Sequence, residues 1–333
     1  MFGKISNMVY FLFFFALALF ALYYCFREVK FGDLVGVLKQ ANYFYVGISV
    51  ITGILVIFVR ALRWNILIDT LDAKPSLRDT YNAIMVGYIA NLAVPRLGEI
   101  IRCATLNRTN RIPVNALFGT VVTERIIDLL CLMLLAAAVF FLKMDLFSRF
   151  VAENVLQQWK PIEENMSATT VAVAALAVLA LIAALYFLGK RMWKKPFAQK
   201  IKKSLAGLFD GLISIFKMKN RIRFIVYTVI IWICYLLGCV LILESLPSTA
   251  GLTVADGLFL LVLGTMGWVV PTPGGFGTFH WIVATGLTMY GIPFEEGLGI
   301  ATLSHESQLP AMILLGFIAL ISVSITKFKP IQK

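Results

Sequence analysis

Charged side chains inside apolar runs constrain this chain more than any other feature. The stretch from Asn91 to Asp128, NLAVPRLGEIIRCATLNRTNRIPVNALFGTVVTERIID, sets Arg96, Glu99, Arg102, Glu124, Arg125 and Asp128 within or beside segments that are otherwise hydrocarbon-like. One ionised side chain at mid-bilayer costs about 2.5–3.5 kcal/mol on insertion scales. Left unpaired, these residues would cost more than a membrane domain can carry. Their signs balance, with Arg96, Arg102 and Arg125 set against Glu99, Glu124 and Asp128. The stretch therefore predicts a mutually compensated polar centre.

The surrounding composition makes a membrane the expected solvent. Hydrophobic residues are 60% of the chain and charged residues 14%, against about 45–50% and about 25% in soluble domains. The fold class expected is an all-α polytopic membrane protein. Net charge is +12, and the lysines and arginines crowd into loops, which suits the positive-inside rule and anionic lipid headgroups. No soluble basic domain is present to bind nucleic acid. Cys25, Cys103, Cys131, Cys234 and Cys239 lie in or beside apolar helices without a CxxC pair, so they read as buried thiols. No metal, cofactor or nucleotide-binding loop is expected, and ATP is not expected to drive the protein directly.

Taken in order, Ile5–Phe26 is long enough to span. It lacks an Ala-x-Ala cleavage site and is read as an uncleaved first span. Phe31–Gln40 is short, amphipathic and interfacial. Tyr43–Trp64 is the second span, closed by Arg60, Arg63 and Trp64. These either snorkel to the interface or, through Arg60 or Arg63, bind a lipid phosphate. Asp79–Val94 and Gly98–Asn107 are too short to cross comfortably and predict a re-entrant hairpin with Pro95 and Gly98 at its tip. Pro113–Leu142 is the third span, and Lys143–Met166 reads as a polar loop. Thr169–Leu188 is the fourth span. Lys190–Arg223 is basic and cytoplasmic, either an amphipathic surface helix or a linker. Ile222–Leu243 is the fifth span. Val254–Val270 stops at a second tip carrying Pro271, Pro273, Gly274, Gly275 and Gly277, and a helix resumes over Thr278–Tyr290. The last span runs from Glu295 to about Ile325 and carries His305 and Glu306.

The two halves of this single transmembrane domain, residues 1–142 and 167–326, share one layout. Each has two spans, a hairpin broken by Pro and Gly, then a long helix with buried ionisable residues. About six full spans plus two re-entrant hairpins form an inverted repeat, the arrangement in which interrupted segments mark a transporter's central site. Charge counting puts both termini in the cytoplasm, so the hairpins enter from opposite faces and their tips converge.

At the first tip, Glu99 and Arg102 are i,i+3 on one helix face and suited to pair. Glu124 and Asp128 are i,i+4 and repel, so either an arginine bridges them or one carboxyl is protonated. The bland reading is a structural lock. The functional reading is an anionic headgroup site opened when Arg96, Arg102 or Arg125 exchanges partners. At the second tip the glycines expose backbone groups, and a helix N-terminus favours an anion. His280 and His305 are the two histidines. A satisfied structural role is the plain reading of each, while His305 beside Glu306 also suits a proton-linked step.

Arg63-Trp64, Pro95-x-x-Gly98-Glu99-x-x-Arg102, Glu124-Arg125-x-x-Asp128 and Pro271-Thr-Pro-Gly-Gly-x-Gly277 together carry a family resemblance. In their order and spacing the chain resembles the flippase-like transmembrane domain of lysylphosphatidylglycerol synthases, which also stands alone in UPF0104-type membrane proteins of bacteria and archaea. The resemblance implies a flippase that moves an anionic or aminoacylated phospholipid or a glycolipid between leaflets of a bacterial cytoplasmic membrane. It allows a separate lipid-synthesising enzyme as partner. No soluble aminoacyl-transferase domain follows the last span, so lipid synthesis by this chain is not expected. Family members often carry a glutamate after the glycine tip, where this chain has His280. A membrane enzyme of lipid or polyprenyl-phosphate metabolism is the competing reading, but no Asp-x-Asp or Asp-x-x-Asp-Gly motif supports it. A scaffold for a separate synthetase is the third.

Overall fold

The computed structural model describes residues 31–151, 220–270 and 272–326. The first span, the fourth span, most of the basic segment and Pro271 lie outside the described residues. No strand occurs among the described residues. The helices are α1 (Phe31–Gln40), α2 (Tyr43–Asp69), α3 (Leu77–Ala93), α4 (Leu97–Asn110), α5 (Val114–Leu142), α6 (Met144–Val151), α7 (Arg221–Glu244), α8 (Val254–Val269), α9 (Thr278–Thr288), α10 (Phe294–Glu306) and α11 (Leu309–Ile325). A 3-10 turn, Pro273–Gly275, lies between α8 and α9.

α2, α5, α7 and the α10–α11 stretch Phe294–Ile325 are each long and apolar enough to cross a bilayer. Their outward faces are hydrocarbon: Ile51 and Leu55 on α2, Met133 and Leu134 on α5, Val229 and Ile233 on α7, Leu314 and Phe317 on α11 are all exposed. A water-soluble fold rarely leaves so large a continuous apolar surface uncovered. This is a multi-pass membrane protein.

The chain divides into two compact units. One joins residues 1–143 to 220–333, and the other is residues 144–219, of which α6 is described. α6 replaces part of the polar loop expected after Lys143. Met144–Val151 carries an acidic first turn at Asp145 and a basic last turn at Arg149, which suits a helix dipole.

Within the first unit, helix ends follow local chemistry. Asn42 caps α2 and Ser76 caps α3 with side-chain oxygens. Thr253 and Asp256 form a reciprocal capping box on α8. Lys143 follows α5 and reaches Asp256 at 2.7 Å, tying the end of α5 to the start of α8. α2 continues past Trp64 to Asp69, so Arg60 and Arg63 lie inside the helix rather than closing it.

Small residues set the close crossings. α7 packs along α2, with Val56, Val59 and Ile231 in one buried cluster. There the Ser49 hydroxyl donates to the Gly238 carbonyl at 3.0 Å. α3 and α4 cross at Gly87 and Gly98, where a methyl group on Gly98 would strike the Gly87 carbonyl oxygen and the Asn91 side chain. The last span is interrupted, contrary to the unbroken helix expected. α10 ends at Glu306 and α11 begins at Leu309. Pro310 lacks the N–H that would bond the Glu306 carbonyl, which loosens the helix at that turn. Gln308, at the break, donates to the Ser49 carbonyl at 3.2 Å across Gly53 of α2.

Candidate functional site

Five helices of the first unit converge on one ionic cluster. α2 contributes Arg60 and Arg63, one turn apart, and α5 contributes Glu124 and Asp128, also one turn apart. The two rungs face each other. Arg60 Nη2 lies 2.8 Å from Asp128 Oδ2 and 3.3 Å from Glu124 Oε1. Arg63 Nη1 lies 2.7 Å from Asp128 Oδ1, and its Nη2 lies 3.4 Å from Glu124 Oε1. α4 adds Arg102, whose Nη1 is 3.3 Å from Glu124 Oε2. Arg125, next to Glu124 on α5, reaches Glu124 Oε1 at 2.9 Å. α3 supplies Tyr88, whose hydroxyl accepts from Arg60 at 2.9 Å, and α7 supplies Thr228, which accepts from Arg63 at 3.4 Å.

Arginines bridge the Glu124–Asp128 pair, the first of the two solutions expected. Three expectations are corrected. Arg60 and Arg63 are buried and paired, so they do not snorkel. Arg102 pairs with Glu124 on α5 instead of Glu99 on its own helix; among the described residues Glu99 has no ion pair. Arg96 lies outside the cluster. It is exposed, sits in a left-handed conformation at φ 61°, and donates from Nη2 to the Val269 carbonyl at 3.1 Å.

The charges do not balance as the sequence suggested. Among the described residues four guanidinium groups surround two carboxylates, a surplus of two positive charges, or one if Glu99 is counted. Aromatic faces take up part of that surplus, since Arg102 lies 4.6 Å from the Trp64 ring centroid. Trp64 is fully buried and held by a 2.8 Å bond from its indole N–H to Thr120. Arg60, Arg102 and Arg125 also line a cavity of about 60 Å³ with Glu99, Asn91 and Tyr88. Arg125 is the guanidinium that reaches out: its side chain is 43% exposed, against 9% or less for the other three.

The α3–α4 turn above this cluster is held by a cap that local sequence conceals. Arg96, at the N-cap of α4, makes no side-chain cap. Asn91, on the preceding helix, accepts the Gly98 N–H at 2.7 Å instead. Pro95 and Gly98 thus belong to a helix junction that packs on itself through α3 and α4.

The α8–α9 junction is built from backbone. Gly274, Gly275 and Gly277 all have positive φ, at 57°, 77° and 82°, which L-residues with side chains resist. Pro273, Gly274 and Gly275 are buried. This junction meets the other one. The 3-10 turn contacts α3, a methyl group on Gly274 would lie 3.3 Å from Leu92, and Arg96 bonds Val269.

Behind the glycine turn, His280 of α9 and His305 and Glu306 of α10 come together. His280 Nε2 lies 3.1 Å from both Glu306 oxygens, and His305 Nδ1 lies 3.1 Å from Glu306 Oε1. His305 Nε2 lies 2.8 Å from the Gly274 carbonyl. Phe276, Phe279 and Trp268 ring His305 with centroids 5.0, 5.4 and 5.3 Å away. Both imidazoles are buried, and the Glu306 side chain is 34% exposed. Sequence reasoning paired His305 with its neighbour Glu306 but not with His280, which is 25 residues away on another helix.

Residues 10–316 match the family described as the lysylphosphatidylglycerol synthase TM region. A UPF0104 membrane protein of Methanocaldococcus jannaschii is 23% identical over 307 residues, covering 87% of this chain and 88% of the relative. A UPF0104 membrane protein of Methanothermobacter thermautotrophicus is 22% identical over 284 residues, covering 78% of this chain and 80% of the relative. No solved structure matches the chain.

Proposed function

Because the chain belongs to the lysylphosphatidylglycerol synthase transmembrane-region family, we propose that it is a lipid translocator, moving a phospholipid or lipid-linked headgroup between leaflets. The observation that carries this reading is the positive surplus of the ionic cluster with Arg125 half-exposed at its edge. A structural lock needs only as many arginines as carboxylates. Guanidinium forks beyond that number favour a phosphate or another anionic headgroup, because they bind it bidentately and keep their charge at any working pH.

In this reading the headgroup takes the place of Glu124 at Arg125. The cavity of about 60 Å³ widens as that pair opens. The excess charge is then neutralised by the passing lipid rather than by a fixed carboxylate. A second cavity, of about 360 Å³, lies between α3, α4 and α11 and is lined mainly by apolar residues such as Val86, Ile101, Leu320 and Val323. It suits part of an acyl chain. The α3–α4 and α8–α9 pairs act as re-entrant hairpins entering from opposite faces, within two inverted halves, residues 1–142 and 167–326. Six full spans and cytoplasmic termini in a bacterial cytoplasmic membrane complete the arrangement.

Reconstitution into vesicles carrying a fluorescent anionic phospholipid tests the reading. Leaflet exchange that is lost in Arg102→Ala and in Glu124→Gln supports translocation. Formation of a new lipid product without exchange would replace it with the membrane-enzyme reading. Neither exchange nor product, with both variants behaving as wild type, would leave a scaffold for a separate lipid-synthesising enzyme.

A further inference from the structure

We propose that His280, His305 and Glu306 form a binding site for a divalent transition-metal ion of the zinc class. The Gly274 carbonyl can only accept, so the 2.8 Å contact requires His305 Nε2 to carry hydrogen. His305 Nδ1 is then a bare lone pair in the neutral ring, and it faces a Glu306 carboxylate oxygen at 3.1 Å. Two lone pairs at that separation repel unless a positive charge lies between them.

A proton there would satisfy one contact. A divalent cation satisfies three donors together: His305 Nδ1, His280 Nε2 and a Glu306 oxygen. These donor atoms all lie within 4.8 Å of one another. Metal–ligand bonds of about 2.0–2.2 Å place neighbouring donors about 3 Å apart, the spacing seen between Glu306 and each imidazole. Two imidazoles and one carboxylate suit zinc and its neighbours rather than calcium or magnesium, which prefer oxygen donors.

The surroundings supply what such sites need beyond their ligands. The Gly274 carbonyl orients His305 through its far nitrogen, as backbone carbonyls do for metal-bound histidines. Aromatic rings exclude water from the buried side. Glu306, one-third exposed, leaves a route for the ion and room for a further ligand. Its carboxylate is the last residue of α10, at the Pro310 break. A bound ion would fasten α9 and α10 to each other and, through His305, to the glycine turn.

The test uses the full-length chain without a polyhistidine tag, purified in detergent and stripped with EDTA. Titration with Co²⁺, read by its visible d–d absorption, should show one equivalent bound, and Zn²⁺ should displace it. Glu306→Gln and the double variant His280→Gln/His305→Gln should each weaken Co²⁺ binding by about tenfold or more. Cys239→Ser should leave it unchanged, which excludes Cys239 as a ligand. Added Zn²⁺ should raise the melting temperature of wild type but not of Glu306→Gln, so a histidine variant that fails to fold does not decide the outcome. Absence of saturable Co²⁺ binding, or binding unchanged in Glu306→Gln, would overturn the site. Lipid exchange need not be measured, so the result stands apart from the translocator reading.

Discussion

The two helix junctions that meet in this protein hold polarity in opposite ways. At α3–α4 the turn carries one exposed arginine, Arg96, and the buried charge beside it is held by side chains paired across α2, α4 and α5. At α8–α9 the polarity belongs to the turn, as peptide groups exposed by Gly274, Gly275 and Gly277, and the side chains behind it are imidazoles rather than guanidiniums. Arginine keeps the charge beside the first junction at any working pH. The second sets two buried imidazoles against one half-buried carboxylate. The junctions touch through Arg96 and Val269.

The contrast can be broken at its ionic end first. Glu124 is fully buried and touches Arg60, Arg63, Arg102 and Arg125. Removing one partner of a buried ion pair costs about 3–5 kcal/mol. Glu124→Ala should therefore lower stability by about that amount, read as thermal unfolding in detergent by intrinsic tryptophan fluorescence. A loss under about 1 kcal/mol would mean the cluster behaves as a solvated one.

Gly98→Ala tests the close crossing under the same junction. The added methyl meets the Gly87 carbonyl oxygen and the Asn91 side chain, and overpacking of that kind costs about 1–3 kcal/mol. The same melting assay checks it, with Gly119→Ala as the contrast. Nothing lies within 4 Å of a methyl group there, and helix propensity predicts a gain of up to about 1 kcal/mol.

Gly277→Ala probes the backbone-built junction. Its φ of 82° with ψ of −59° lies outside the left-handed helical well and imposes about 1–3 kcal/mol of strain on an L-residue, and the melting temperature should fall accordingly. The smallest effect is expected at Arg96→Gly. Relief of a left-handed arginine offsets the lost bond to Val269, leaving a net change within about 1 kcal/mol. A large loss there would show that the contact between junctions holds the fold together.

Much of this architecture was legible in the chain. The breakers at Pro95 and after Val269 mark the two junctions to within a residue or two, because proline and glycine act locally. The ionic cluster was legible in its members but not in its pairing. Arg102 has a carboxylate three residues away on its own helix yet chooses Glu124, since a buried partner on α5 repays desolvation better than an adjacent one. Arg60 and Arg63 looked like the end of a span because two arginines and a tryptophan often mark an interface. The better signal was a matched pitch: two arginines three apart on α2 and two carboxylates four apart on α5 make complementary rungs. Asn91 as the cap of α4, and His280 opposite Glu306, depend on tertiary packing that no local pattern encodes.

The central claim is that surplus guanidinium charge draws an anionic headgroup to Arg125. The direct measurement is the leaflet-exchange rate of fluorescent anionic against zwitterionic phospholipid, for wild type and Arg125→Ala in the same vesicles. Arg125 is half-exposed and Glu124 keeps three other arginines, so the variant should lose much less stability than Glu124→Ala. The account predicts faster exchange of the anionic lipid by wild type and loss of that preference in Arg125→Ala. Equal rates for both lipids, or a preference that survives the substitution, would contradict it.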